Sequence, residues 1–225
     1  MFLSKTIYLV RHGETILNSE HKRQGSEGRL SDKGILQVTA TANRLYNFKI
    51  SQIFSSPYER TIQTTEIIKS IIDPDNRMPL KYSNLLIERR NPSSIIGLSY
   101  DHPHTVDAIN FMDKSYHSED ARFEDEENFN DLKQRALDLQ KFLARNAEDH
   151  ALCVTHGIFL KMFLSVCIYG ESLSMADYIK LSVFNPAENA GLSVIEYSPI
   201  KSITGNGWKV LAYNDSSAEV SSASI

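Results

Sequence analysis

Two histidines each sit in a turn closed by glycine: Arg11-His12-Gly13 and Thr155-His156-Gly157. A neutral, oriented imidazole nitrogen is a competent nucleophile. Gly13 and Gly157 permit a tight turn and let a backbone N–H come close to a ligand. Arg11, beside His12, carries a planar fork of donors that matches two oxygens of a phosphate. Arg60, near the predicted start of a helix, offers a second fork. A protonated His156 would donate to the same oxygens. Any one of these residues alone has an ordinary structural reading. Two arginines and two histidines around one small volume make an anion pocket.

Hydrophobic patterning shows what must bring them together. Residues 5–10 form a short buried strand that runs straight into Arg11-His12-Gly13. Ser31 caps a helix to Tyr46, with Ile35, Val38, Ala42 and Leu45 at helical spacing. Residues 52–54 make a second short strand, and Pro57 suits the turn or first helical position after it. The next helix runs to Ile72 and stops at Asp73-Pro74-Asp75-Asn76. Leu132, Ala136, Leu139 and Phe142 or Leu143 mark a helix over 129–147. Residues 151–154 form a buried strand leading into Thr155-His156-Gly157, and an apolar helix follows over 158–168. Residues 192–197 and 208–213 read as a late hairpin or sheet edge.

This alternation predicts an α/β fold, a three-layer α/β/α sandwich around a mostly parallel sheet. Ligands of such sheets bind beyond the carboxyl ends of the strands. Parallel neighbours ending at Val10 and Val154 would bring His12 and His156 to one edge. Residues 88–127 hold prolines, polar residues and the acidic run Glu124 to Glu127. They read as an insertion with some helix, in the manner of lids and binding loops. The expected organisation is one domain over 1–215, with this insertion and a flexible Ser-rich tail over 216–225.

Composition narrows the classes. A chain of 225 residues fits one domain. Its 41% hydrophobic and 23% charged content excludes a wholly disordered or collagen-like chain. The net charge of −4 gives no basic excess for nucleic acid. An anionic substrate must therefore be met by a local cluster. No apolar run approaches the roughly 18 residues of a membrane span. Lys5 interrupts the N-terminal apolar stretch and makes it a poor signal peptide. Cys153 and Cys167 form no disulfide framework and read as inert buried thiols. The simplest expectation is a cytoplasmic protein without membrane or nucleic-acid partners. No feature specifies an oligomeric state.

Arg11-His12-Gly13-Glu14-Thr15 resembles the signature of the histidine phosphatase superfamily, the phosphoglycerate mutase-like family. Asn18, Arg23-Gln24-Gly25 and Leu30-Ser31-Asp32-Lys33-Gly34 resemble its following blocks. The run from Ser55 to Thr64 resembles its second arginine block, and Val154-Thr155-His156-Gly157 its second histidine block. Asn189 to Val194 resembles its late strand. The resemblance implies that His12 attacks phosphorus and becomes a phosphohistidine. Arg11, Asn18, Arg60, His156 and Gly157 would hold the phosphate, with His156 also counted as catalytic. Glu88 would protonate the leaving alcohol and then help water attack the phosphoenzyme.

Two departures stand out. Arg89-Arg90-Asn91-Pro92 replaces the Gly-aromatic-Glu-Gly run that often follows the acid. Arg29 replaces a proline near the expected pocket mouth, as a solvated charge or as a receptor for a second anionic group. The resemblance implies a phosphomonoester hydrolase acting on a phosphorylated small molecule or phosphoprotein, with no metal and no cofactor. A mutase is the alternative, weakened by the acidic rather than basic insertion. A catalytically silent binding module and a metal enzyme using His102, His104 and Asp101 are the remaining readings.

Overall fold

The computed structural model describes residues 4–114, 120–184, 186–203 and 205–216. Its strands are β1 (Lys5–Arg11), β2 (Gln52–Ser55), β3 (Leu80–Tyr82), β4 (Ala151–Thr155), β5 (Leu192–Tyr197) and β6 (Trp208–Asp215). They form one sheet in the order β3-β2-β4-β1-β5-β6. The four strands from β3 to β1 are parallel, and β5 and β6 continue antiparallel to one edge. The helices are α1 (Ile16–Ser19), α2 (Asp32–Leu45), α3 (Glu59–Ile72), α4 (Pro103–Lys114), α5 (Phe129–Asn146), α6 (Gly157–Tyr169) and α7 (Met175–Phe184).

The sheet is covered on both faces. Ile7 and Leu9 of β1 join Phe54, Cys153 and the apolar sides of α5 and α6. Tyr8 and Val10 join Ile53, Leu152 and residues of α2 and α3. A strand buried on both faces reads as an unbroken apolar run, so these segments stood out without any alternation. The expected three-layer α/β/α arrangement with a mostly parallel sheet is what the chain adopts.

Local signals set the helix ends. Ser31 caps α2, its Oγ accepting the Gly34 N–H at 3.0 Å. α3 ends at Asp73, as Asp73-Pro74 suggested. Asn128 and Asp131 cap α5 reciprocally. Three elements were not legible. β3 and α1 are too short to display a period. α7 contributes Met175 and Tyr178 to the core, only one turn of helical spacing.

The insertion holds α4 and a small apolar cluster of its own, Ile95, Ala108 and Met112 against Leu98, Ile109 and Phe123. It is stitched to the segment after α1. Arg23 N–H donates to Leu98 O, Gly97 N–H to Arg23 O and Tyr100 N–H to His21 O, each at 2.9 Å. The acidic run is partly internal, with Glu126 and Glu127 both buried. The tail expected over 216–225 lies outside the described residues from 217 onward. Among the described residues no helix is long and apolar enough to cross a membrane.

Gly34 fixes how closely α2 approaches the His12 loop. A Cβ there would lie 2.0 Å from Glu14 O, and one on Gly13 would lie 2.6 Å from Gly34 O. Helix propensity alone predicts that Gly34→Ala stabilises the protein by about 1 kcal/mol. The close approach predicts the opposite sign, a loss on the order of 1–3 kcal/mol from overpacking. Urea unfolding of Gly34→Ala decides between them, and a raised midpoint would rule out the tight contact.

Candidate active site

β1 and β4 are parallel neighbours in register, with Arg11 opposite Thr155. His12 and His156 follow one residue later at the same sheet edge, their ring centroids 5.2 Å apart. The backbone of His12 is pinned on both sides. Its N–H donates to Thr155 O at 2.9 Å, and its carbonyl accepts from Ala190 N–H and Asn189 Nδ2.

The imidazole of His12 is fixed as firmly. Its Nδ1 lies 2.7 Å from Gly13 O. A carbonyl only accepts, so Nδ1 carries the proton and Nε2 presents its lone pair. The Arg60 Nε–H reaches His12 Nε2 at 3.3 Å and His156 Nδ1 at 3.2 Å, one donor shared by two rings. Arg60 also donates from Nη1 to Gly25 O at 2.8 Å. His156 Nε2 is 2.8 Å from Ser56 Oγ. With Nδ1 accepting, Nε2 is the protonated nitrogen and donates to Ser56.

Electrostatics agree with these tautomers. Burial, then Arg60 and Arg11, pushes His12 well below its ordinary value. Burial, then Arg60, His12 and Arg11, does the same to His156. The expected protonated His156 is therefore corrected: in the free protein it is neutral, because burial and two arginines oppose a further charge. Burial pulls Arg60 down to about 10, so the guanidinium stays charged at neutral pH.

A cleft of about 330 Å³ opens at this edge. Of the residues singled out from sequence, Arg11, His12, Asn18, Arg60, Glu88 and Gly157 line it. His156 is fully buried and stands behind, reached through Arg60 and Ser56. Arg11 donates to Ala187 O, while its buried Nε has no partner among the described residues. Gly157 makes room for it: a Cβ there would sit 3.1 Å from Arg11 Nε. Asn18 Oδ1 accepts the Thr15 N–H at 3.3 Å in the cap of α1.

Glu88 sits on the first turn of α6. Its Oε1 accepts Phe159 N–H at 2.9 Å and Arg89 N–H at 2.8 Å, and its Oε2 accepts Ile158 N–H at 3.2 Å. Helix N-termini offer such unsatisfied donors and favour negative charge. The carboxylate is thereby carried into the cleft with His12 and Arg11.

Several other residues singled out from sequence do not line the cleft. Arg29 pairs with Glu59 at 2.8 Å on the surface and does not line the cleft. Burial of Cys153 and Cys167 raises both thiols, the latter to about 12, as inert thiols require. His104 Nε2 is 2.8 Å from Ser94 Oγ, and His102 Nδ1 accepts the His104 N–H. Among the described residues no group of three or more His, Cys, Asp or Glu is arranged to hold a metal ion.

Other cleft residues went unassigned. Arg23 lies over the Tyr100 ring, 4.4 Å from its centroid, and both line the cleft. Lys161 lines it as well, donating to Ser182 O at 3.1 Å, with its amine lowered by burial. A signal for Lys161 did exist. It is the one charged residue in the otherwise apolar α6, one turn beyond Gly157.

A mostly parallel α/β sheet with Arg-His-Gly and Thr-His-Gly turns paired at its carboxyl edge defines a phosphoglycerate mutase-like protein. The family model described as histidine phosphatase superfamily (branch 1) matches residues 7–216, and the chain belongs to that family. It is 29% identical over 209 residues to "Probable phosphoglycerate mutase GpmB" of Enterobacter sp. (strain 638), covering 91% of this chain and 90% of the relative. The solved structure of YhfR from Bacillus stearothermophilus is similar with a TM-score of 0.76 at 24% identity, covering 94% and 97% of the two chains. A mycobacterial glucosyl-3-phosphoglycerate phosphatase gives 0.74 at 18%, covering 95% and 100%.

The two neutral histidines give the fold a pH signature. Below about pH 6.5 the unfolded chain takes up a proton on each, and the folded chain does not. The unfolded state then binds more protons, so stability falls as pH falls from 6.5. Each histidine contributes a slope approaching about 1.4 kcal/mol per pH unit. Urea unfolding between pH 6.5 and 5 should find the slope of His156→Asn lower by about one proton. An unchanged slope would mean that His156 is protonated in the folded protein.

Proposed function

We propose that the protein hydrolyses phosphomonoesters through a phosphohistidine on His12. The observation that carries this reading is the His12 ring, with Nδ1 tied to Gly13 O and Nε2 facing Arg60 in the cleft. Nε2 attacks phosphorus in line with the ester oxygen, so that an N–P bond forms as the O–P bond breaks. Arg11 and Arg60 hold the equatorial oxygens, where preorganised positive charge lowers the barrier most. Asn18 and the Gly157 end of α6 add N–H donors. A bound phosphate dianion beside Arg60 favours a proton on His156, which then donates to the same group. Glu88 gives a proton to the leaving alcohol. It then takes one from the water that cleaves the N–P bond, releasing inorganic phosphate and restoring His12.

With two guanidinium groups supplying the charge, this chemistry calls for no metal ion or organic cofactor. A cleft of about 330 Å³ suits a phosphorylated small molecule better than a folded phosphoprotein. The two free, buried cysteines are in keeping with a cytoplasmic site of action. A second reading is a mutase that returns the phosphoryl group to another hydroxyl of the bound substrate. Arg23 and Lys161, two further cations in the cleft, favour it. The acidic character of the insertion favours hydrolysis.

His12→Ala should lower turnover by more than about 10², because removing a covalent nucleophile costs several kcal/mol in the barrier. Phosphate release from a panel of phosphomonoesters measures this and separates the two readings, since a mutase isomerises its substrate without releasing phosphate. Residual activity above a hundredth of the parent would move the nucleophile elsewhere.

Glu88→Gln should act according to the leaving group. A nitrophenolate departs without a proton, whereas an alkoxide needs one, and general acid help is worth about 10²–10⁴. Single-turnover phosphorylation from glycerol 2-phosphate should fall steeply and that from 4-nitrophenyl phosphate much less. Equal losses would make Glu88 structural.

A further inference from the structure

The segment that carries Glu88 has little regular structure of its own. A short 3-10 turn spans Asn84–Leu86, and residues 87–92 follow without helix or strand. Carbonyls in such a segment that are partly shielded from water need donors from elsewhere. Arg135 of α5 supplies them. Its Nη1 donates to Ile87 O at 2.7 Å and Leu85 O at 3.3 Å, and its Nη2 to Glu88 O at 3.3 Å. The other two donors go to Glu127, Nε to Oε1 at 2.7 Å and Nη2 to Oε2 at 2.6 Å. A guanidinium has five N–H donors, and here all five are used.

The same group touches what holds the Glu88 carboxylate. The Arg135 guanidinium lies 4.1 Å from the centroid of the Phe159 ring, and the Phe159 N–H binds Glu88 Oε1. Glu127 grips the far side of Glu88 by exchanging two bonds with Arg90: Glu127 N–H to Arg90 O at 3.0 Å, and Arg90 N–H to Glu127 Oε2 at 3.3 Å. The Arg135 and Glu127 side chains are 12% and 3% exposed, so the pair is largely shielded from bulk solvent.

We propose that Arg135, locked by Glu127, is the positioning residue that sets the backbone and carboxylate of Glu88 against the first turn of α6. The inference rests on the reading of Glu88 as proton donor. Arg135 does not line the cleft; its hydrogen bonds reach the reaction through Glu88, and its charge adds the smallest of the effects that keep His156 neutral. Lysine, with three donors on one atom, cannot span three carbonyls and a carboxylate at once. A displacement of about 1 Å at a reacting group can cost on the order of 10² in rate. The loss should therefore fall where Glu88 is needed.

The test is single-turnover phosphorylation of full-length Arg135→Lys and Glu127→Gln by glycerol 2-phosphate and 4-nitrophenyl phosphate, with Glu88→Gln alongside. Arg135→Lys should slow the alkyl reaction by about 10- to 100-fold and the aryl reaction by less than about 3-fold. In the Glu88→Gln background it should add no further alkyl-selective loss. Equal losses on both substrates, or a full additional loss on top of Glu88→Gln, would overturn the proposal and leave Arg135 a structural residue. Breaking a buried pair can unfold a protein, so Arg135→Met with Glu127→Leu removes both charges together. Folding is checked by circular dichroism, and the same alkyl-selective loss is expected. If none of these variants folds, the positioning role is rejected for a purely structural one. A Glu88→Gln protein without alkyl selectivity rejects the proton-donor reading and this inference with it. A selective Glu88→Gln beside an unselective Arg135→Lys rejects this inference alone.

Discussion

A single buried guanidinium governs the site. Arg60 is 2% exposed and keeps its charge. A buried charge survives only where its donors are met. Two of the partners that meet them are imidazole nitrogens, His12 Nε2 and His156 Nδ1. Only a neutral imidazole accepts a hydrogen bond, so the placement of Arg60 and the neutrality of both rings are one constraint. Glu88 is the carboxylate whose field most favours the charge on Arg60. The free site thus holds more positive charge than nearby negative charge, and an anion in the cleft would complete it.

The sheet delivers this arrangement. Parallel pairing of β1 with β4 ends both strands at one edge, and α3 brings Arg60 to the same point. Close backbone approaches do the rest. Gly13 and Gly34 let α2 press on the His12 loop, and Gly157 lets the Arg11 guanidinium lie against α6. Thr64 links two of these parts, accepting the Gly13 N–H at 3.2 Å and donating to Arg60 O at 2.7 Å. The nucleophile loop and the arginine helix are held as one unit.

The insertion gives the cleft its individual character. Asn91 and Tyr100 come from it, and Arg23 and Gln24 face the same cleft from the segment stitched to it. Solved relatives below 25% identity share this fold. Folds of this kind host differing substrates through such loops. Only the first half of the acidic run inside the insertion is a solvated face, since Glu124 and Asp125 are exposed while Glu126 and Glu127 are buried. Glu127 is spent on Arg135, and Glu126 lies 3.5 Å from Arg89 while its Oε1 accepts the Phe123 N–H.

The sequence by itself determined the layered α/β class and the meeting of His12 with His156. Strands buried on both faces leave unbroken apolar runs, and glycine-closed turns after two of them mark a ligand edge. It also pointed to Arg11, Asn18, Arg60, Glu88 and Gly157, all of which reach the cleft. Short or weakly patterned elements, such as β3 and α7, left too few buried positions to reveal a period. Protonation was decided only by the tertiary structure. His156 reads as a cation from its type, yet full burial behind Arg60 makes it neutral. Arg29 reads from its position as a solvated charge or as a mouth residue, and its pairing with Glu59 at the start of α3 decides for the solvated charge. Arg135 reads as one more charge on an amphipathic helix, next to the core position Ala136. Its five donors find their acceptors as many as 50 residues away in sequence, on Leu85, and only folding brings those carbonyls together.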